Sequence, residues 1–176
     1  MEVYLTRHGE TEWNQRAVLC GRSDIVLSSK GEIQAEILAD KLKEKGITLI
    51  LTSPLIRARQ TAEIIGEKLN IPIQTEELLM EQDFGNFEEY PMQEKQCLEY
   101  RENFFKPFPE GESVIMVTYR ALQLIEKIKE TMKEQKVLLV SHGAFGRIFH
   151  ACVKGVSNEE YHKIQFENCE AVKYEL

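Results

Sequence analysis

Three short apolar runs constrain what this chain can fold into. Val3-Tyr4-Leu5-Thr6, Thr48-Leu49-Ile50-Leu51-Thr52 and Val137-Leu138-Leu139-Val140 are β-branched or aliphatic, lack polar alternation, and are too short for helices. Such runs read as strands buried on both faces, the habit of parallel sheets. Weaker strand signals lie at residues 71–75 and 171–176. Helical spacing fills the gaps. Ile33, Ile37, Leu38 and Leu42 recur on one face of residues 29–45, with Gly46 as the stop. Ser53-Pro54 reads as an N-cap followed by a first-turn proline, opening a helix to Leu69. Residues 112–135 carry an apolar stripe from Val114 to Met132 with a charged opposite face, and residues 143–153 form a shorter helix. Strands alternating with helices predict an α/β fold, a three-layer α/β/α sandwich around a mainly parallel central sheet. No Gly/Ser linker interrupts the 176 residues, which read as one domain.

Composition removes several classes of function. The net charge is −7 and no run of Lys and Arg appears, which argues against nucleic acid as a partner. No apolar run approaches the roughly 20 residues of a membrane span, and the N-terminus lacks the pattern of a secretory signal. Cys20, Cys97, Cys152 and Cys169 form no C-x-x-C pair and read as free thiols of a cytoplasmic protein. No apolar stripe stands out beyond those the core needs, and oligomeric state is not legible.

Chemistry gathers where the strong strands end. In an open α/β sheet, ligands bind beyond the carboxyl ends of the strands. Arg7-His8-Gly9-Glu10 follows the first run, Ser53-Pro54-Leu55-Ile56-Arg57 the second and Ser141-His142-Gly143 the third. Arginine forks fit phosphate oxygens, a helix N-terminus adds amide donors, and glycine permits close backbone approach. Positive neighbours disfavour imidazolium and leave a nucleophilic ring. Metal ligation by two histidines and an acid is the alternative, but arginines beside the site repel a cation. His150 and His162 lie in helical stretches away from strand ends and read as structural or surface residues.

The ordered set of motifs resembles the histidine phosphatase superfamily, the phosphoglycerate-mutase-like enzymes. It runs from Arg7-His8-Gly9-Glu10-Thr11 through Asn14, Gly21-Arg22-Ser23-Asp24 and Leu27-Ser28-Ser29-Lys30-Gly31 to Ser53-Pro54-Leu55-Ile56-Arg57-Ala58. It continues with Glu81-Gln82-Asp83-Phe84-Gly85, Gly111-Glu112-Ser113 and Ser141-His142-Gly143, with Arg147 behind. The resemblance implies that His8 is the nucleophile and forms a phosphohistidine. It implies that Arg7, Arg57 and His142 hold the phosphoryl oxygens, and that Glu81 is the general acid and then the base. Asn14, Gly21 and Gly143 fall to substrate binding, with no metal and no organic cofactor. A setting of Leu78, Leu79, Met80 and Phe84 is expected to keep the Glu81 proton in place.

The expected activity is a phosphomonoesterase acting on a small phosphorylated metabolite, similar to α-ribazole phosphatases and broad-specificity members. A phosphoglycerate-type mutase and a non-catalytic domain that binds a phospho-ligand are the alternatives. Residues 82–112 read as a cap or substrate-shaping segment. They hold eight acids against three bases, which predicts a leaving group without strong negative charge. They also hold seven of the fifteen aromatics, which suggests either an aromatic-lined pocket or a small helical cap packed on the body.

Overall fold

The computed structural model describes all 176 residues. Five strands form one sheet: β1 (Glu2–Arg7), β2 (Leu49–Thr52), β3 (Ile73–Thr75), β4 (Val137–Ser141) and β5 (Ala171–Glu175). Their spatial order is β3-β2-β4-β1-β5, parallel throughout except for β5, which runs antiparallel to β1 at the edge. The helices are α1 (Glu12–Gln15), α2 (Ser29–Leu42), α3 (Ile56–Leu69), α4 (Lys95–Glu102), α5 (Val114–Thr131), α6 (Gly143–Lys154) and α7 (Asn158–Lys163).

Strand pleating sorts the apolar runs into two cores. Val3, Leu5, Leu49, Leu51, Val137 and Leu139 face α5, α6 and Tyr161 of α7. Tyr4, Ile50, Leu138 and Val140 face α2 and α3. The result is the three-layer α/β/α sandwich, with both faces of the central strands buried.

Three local expectations change. The buried face of α2 is Gly31, Ala35, Leu38, Ala39 and Leu42, while Ile33 and Ile37 are about half exposed. Small residues let α2 and α3 approach closely, and the bulkier isoleucines are turned outward. The helix after β2 starts at Ile56, and its N-cap Leu55 makes no side-chain cap. Ser53 is released from capping and serves another partner. In α5, Ser113 is the N-cap, accepting from the Met116 N–H, so the helix begins with the stripe at Val114, two residues inside the expected segment 112–135. That helix also leaves Ile115, Met116, Tyr119 and Leu122 exposed, an apolar stripe that the sequence reading did not separate from the core stripe.

Residues 82–112 settle into their own small core. Leu19, Phe84, Phe87, Cys97 and Phe108 are buried together, with Tyr100 and Met92 against them. The rings pack edge-on or stacked on one another, as for Phe87 with Phe108 at 5.5 Å and Tyr100 with Phe108 at 5.0 Å. Aromatic packing thus holds the segment together, with α4 its one α-helix. Phe84 is its one aromatic residue that reaches the cavity beside β1.

Candidate active site

Sheet register builds the site. Arg7 of β1 pairs with Ser141 of β4, so the next residues, His8 and His142, emerge side by side. Their ring centroids are 5.2 Å apart, and both side chains are buried. β2 adjoins β4 on the other side, with Thr52 opposite Val140, which brings Ser53 and the first turn of α3 to the same edge. Arg57 arrives from that turn and is fully buried.

The hydrogen bonds of His8 define its tautomer. Nδ1 lies 2.7 Å from the Gly9 carbonyl, an acceptor only, so Nδ1 carries the hydrogen. Nε2 then holds a lone pair, and Arg57 Nε–H donates to it across 3.2 Å. Burial, with Arg57 and Arg7 beside it, holds His8 well below the ordinary histidine range. His142 is held low in the same direction, by burial and then by Arg57 and His8. Its Nε2 meets Ser53 Oγ at 2.8 Å, and its Nδ1 is buried without a partner.

Arg57 is committed more deeply than a phosphate clamp requires. Its Nη atoms donate to the carbonyls of Ser23, Gly21 and Cys20 at 2.8, 2.8 and 3.3 Å. It fixes the loop at residues 20–23 and reaches His8 through Nε alone. Gly21 shares in that loop: its N–H donates to Glu88 Oε1 at 2.8 Å, and it does not line the cavity. Arg7 donates from Nη1 to the Phe166 carbonyl at 3.0 Å, while its buried Nε is unpartnered. Asn14 spends its carbonyl oxygen on the Thr11 N–H and on Asn168 Nδ2, at 3.1 and 3.4 Å, and lines the cavity. Gly143 and Ala144, at the start of α6, line it as well.

Glu81 sits beneath that helix start. Oε1 accepts from Phe145 N–H at 2.8 Å and Gln82 N–H at 2.9 Å, and Oε2 accepts from Ala144 N–H at 3.0 Å. The expected apolar surround is therefore only half of its environment: the carboxyl is buried, yet its oxygens are met by backbone donors. Arg120 of α5 holds the strand of chain that carries it. Its guanidinium donates to the carbonyls of Leu78, Met80 and Glu81 at 2.9, 3.0 and 3.3 Å and pairs with Glu112 at 2.9 Å. Sequence reading missed Arg120, because it lies on the α5 face that patterning assigns to solvent.

The cavity at this edge holds about 280 Å³ and is lined by Arg7, His8, Asn14, Glu81 and Gly143. Arg101 of α4 and Arg147 of α6, with Phe84 and Tyr161, line the same cavity. The acids of the cap point elsewhere: Glu89, Glu94, Glu99, Glu102 and Glu110 are exposed. The charge count of the segment thus misjudged the pocket, whose one charged residue from residues 82–112 is cationic. His150 pairs with Tyr174 Oη at 2.9 Å and His162 is exposed, both away from the site as expected. All four cysteines are free thiols, and no helix is long and apolar enough to cross a membrane.

A family model described as histidine phosphatase superfamily (branch 1) matches residues 3–176. The chain is 37% identical over 155 residues to an uncharacterized phosphatase, PhoE, of Bacillus subtilis (strain 168), covering 88% of this chain and 77% of that one. It is 33% identical over 178 residues to a probable phosphoglycerate mutase, GpmB, of Escherichia coli (strain K12 / DH10B), covering 96% and 82%. The crystal structure of the α-ribazole phosphatase from Shigella flexneri superposes with a TM-score of 0.85 at 26% identity, covering 98% of this chain and 89% of that one.

Proposed function

Because the chain belongs to branch 1 of the histidine phosphatase superfamily, we propose that it hydrolyses a small phosphomonoester through a phosphohistidine on His8, without a metal or organic cofactor. One observation carries this reading: His8 keeps a lone pair on Nε2, where only the Arg57 Nε–H meets it, while Nδ1–H is spent on the Gly9 carbonyl.

In the first step Nε2 of His8 attacks phosphorus and the ester P–O bond breaks. Arg57 Nε–H moves from the His8 lone pair to a phosphoryl oxygen. Arg7 Nε and His142 Nδ1, the unpartnered buried groups, take the others. Phosphoryl transfer needs mainly this positioning and cationic surround. The Gly9 carbonyl stabilises the positive ring that forms. Glu81, whose carboxyl lies beside the cavity with His8, passes a proton to the leaving oxygen. In the second step Glu81 takes a proton from water, the hydroxyl attacks phosphorus, and the N–P bond breaks to release phosphate and neutral His8. Asn14 and the Gly143 amide orient the bound group; Gly21 acts through Arg57. The cap at residues 82–112 shapes the leaving-group side of one catalytic unit.

A mutase reading draws support from the 33% identity to the probable phosphoglycerate mutase. It requires a bisphosphate primer and an isomerised product in place of free phosphate. The deciding experiment is His8→Ala with an aryl phosphate in EDTA. Turnover and acid-labile phosphoenzyme vanish while the circular dichroism is unchanged. Full activity in that variant refutes the nucleophile.

A further inference from the structure

A second cavity, of about 420 Å³, opens between α2 and the turn that leads into β5. It is lined by Tyr4, Leu38, Lys41, Leu42, Lys45 and residues 168–171, and shares no lining residue with the cavity at His8. The Tyr4 side chain is 7% exposed and packs in the core under α2 and α3. Its hydroxyl nevertheless makes no hydrogen bond within the protein, whereas the Tyr174 hydroxyl meets His150 at 2.9 Å. A largely buried hydroxyl without a protein partner is costly unless something in the cavity meets it. Lys41, in the last turn of α2, and Lys45, four residues on, enter no ion pair. Their neighbours Lys43 and Lys68 both pair with Asp40. Glu170, the one acid of the lining, is exposed and equally unpaired, so two lysines less one glutamate leave a single positive charge. Leu38, Leu42 and Ala171 supply the apolar wall. The far wall is tied to the active site. Asn168 Nδ2 donates to the His8 carbonyl at 2.7 Å, and the Cys169 N–H donates to the Arg7 carbonyl at 3.0 Å.

Small-molecule sites pair mostly apolar walls with a few placed polar groups, and this lining has that composition. Ammonium groups act on an anion as point charges, and a phenol hydroxyl donates to the same anion. A single net positive charge, with no arginine fork, matches one carboxylate better than a dianionic phosphate. We infer that this cavity binds a small organic carboxylate with an apolar body, the anionic end held by Lys41, Lys45 and the Tyr4 hydroxyl. The body of the ligand lies against Leu38, Leu42 and Ala171. A ligand seated there bears on Asn168 and Cys169, and through them on the main chain of Arg7 and His8. The site goes beyond the proposed hydrolysis, and binding at it does not depend on that reaction.

The test uses two probes that differ in one group, 3-phenylpropanoate and its neutral amide, 3-phenylpropanamide. Each is titrated into the wild-type protein by nuclear magnetic resonance, with inorganic phosphate present to occupy the cavity at His8. The carboxylate binds about fivefold or more tighter than the amide, and the main-chain signals of Leu42 and Ala171 shift with it. K41Q with K45Q, two exposed positions, brings the ratio to within about twofold of unity. Tyr4→Phe weakens the carboxylate about threefold. The ligand-free Tyr4→Phe protein keeps or raises its urea midpoint, because the lost hydroxyl has no protein partner. No saturable binding below about 10 mM, equal affinities for the two probes, or a ratio that survives both Gln changes overturns the site. A Tyr4→Phe protein that loses stability and keeps its affinity overturns the role of the hydroxyl. Aryl phosphate turnover enters none of these outcomes, so a failure of the catalytic reading is seen separately in the His8→Ala experiment.

Discussion

Arg57 Nε–H points at the lone pair of His8 Nε2 across 3.2 Å. A cation donating to His8, the proposed nucleophile, both orients the ring and keeps it neutral, since protonating Nε2 sets two positive groups against each other. Arg57→Gln removes that cation, so the His8 pKa rises. The acidic limb of the kcat/KM profile then moves to higher pH, and activity at pH 6 falls relative to pH 8. The variant also loses a transition-state donor, for which about 10²–10³ in kcat is expected. A pH–rate profile checks both; an acidic limb that stays in place or moves to lower pH overturns the electrostatic role.

Neutral buried histidines make the fold acid-sensitive. His8 and His142 are held well below the usual value, chiefly by burial. As pH falls through about 6.5, the unfolded chain takes up a proton at each while the native protein does not. Stability is therefore present above that pH and is lost below it, with a slope approaching about 2.7 kcal/mol per pH unit for two groups. His150, lowered by burial and Lys154, adds in the same direction. Urea unfolding between pH 7 and 5.5 reads the slope, and His142→Gln makes it shallower by about 1.4 kcal/mol per unit.

The strand ends were legible in the sequence because three uninterrupted apolar runs left little choice of period or burial. Parallel register then made neighbours of His8 and His142, 134 positions apart. The cap was not legible in the same way. Only Cys97 of α4 is fully buried, so its eight residues carry no readable stripe. Which of the cap's charges turn inward depends on tertiary packing, and Arg101 was lost among eight acids. Arg120 was hidden for a related reason: its partners are backbone carbonyls, which no residue pattern marks.

The glycines after the two histidines differ in kind. A Cβ on Gly9 would lie 2.4 Å from the Gly31 carbonyl oxygen, and one on Gly31 would lie 2.2 Å from that of Glu10. Two backbones cross there, and neither yields cheaply. Gly9→Ala is expected to cost about 2–3 kcal/mol. A Cβ on Gly143 meets only Arg7 Nε at 3.5 Å, an ordinary contact. Gly143→Ala, in the first turn of α6, stays within about 1 kcal/mol of the wild type. Thermal melts separate the two, and equal losses would contradict the crossing.

Arg120 fixes the Glu81 segment by three carbonyl contacts and the Glu112 pair. Arg120→Met strips four acceptors of their donor and leaves Glu112 with Arg22 and the Asp83 amide. A loss of about 3 kcal/mol in urea unfolding follows, as for a buried pair broken on one side. Because Arg120 acts through Glu81, kcat falls more than KM rises. Arg120→Lys recovers part of the stability and less of kcat, since one ammonium cannot span the three carbonyls. A variant that loses stability alone would leave Arg120 a structural residue.

Ser53 sits where a helix cap was expected and turns its hydroxyl to His142 Nε2 at 2.8 Å, with the Leu55 N–H donating to the same oxygen at 3.4 Å. With Leu55 as donor to Oγ, the Ser53 hydrogen is available to Nε2, which sets the hydrogen of His142 on Nδ1. That nitrogen is the unpartnered one, so the tautomer chosen by Ser53 leaves a free donor for the phosphoryl oxygen of the proposed reaction. Ser53→Ala removes the choice. It costs about 1 kcal/mol of stability and about tenfold in kcat, with a smaller effect on KM. Nitrogen-15 spectra of the wild type show protonated Nδ1 and bare Nε2 at His142, a distinction lost in the variant. A wild-type ring protonated at Nε2 would show that Ser53 accepts, and the His142 donor would then have to be sought elsewhere.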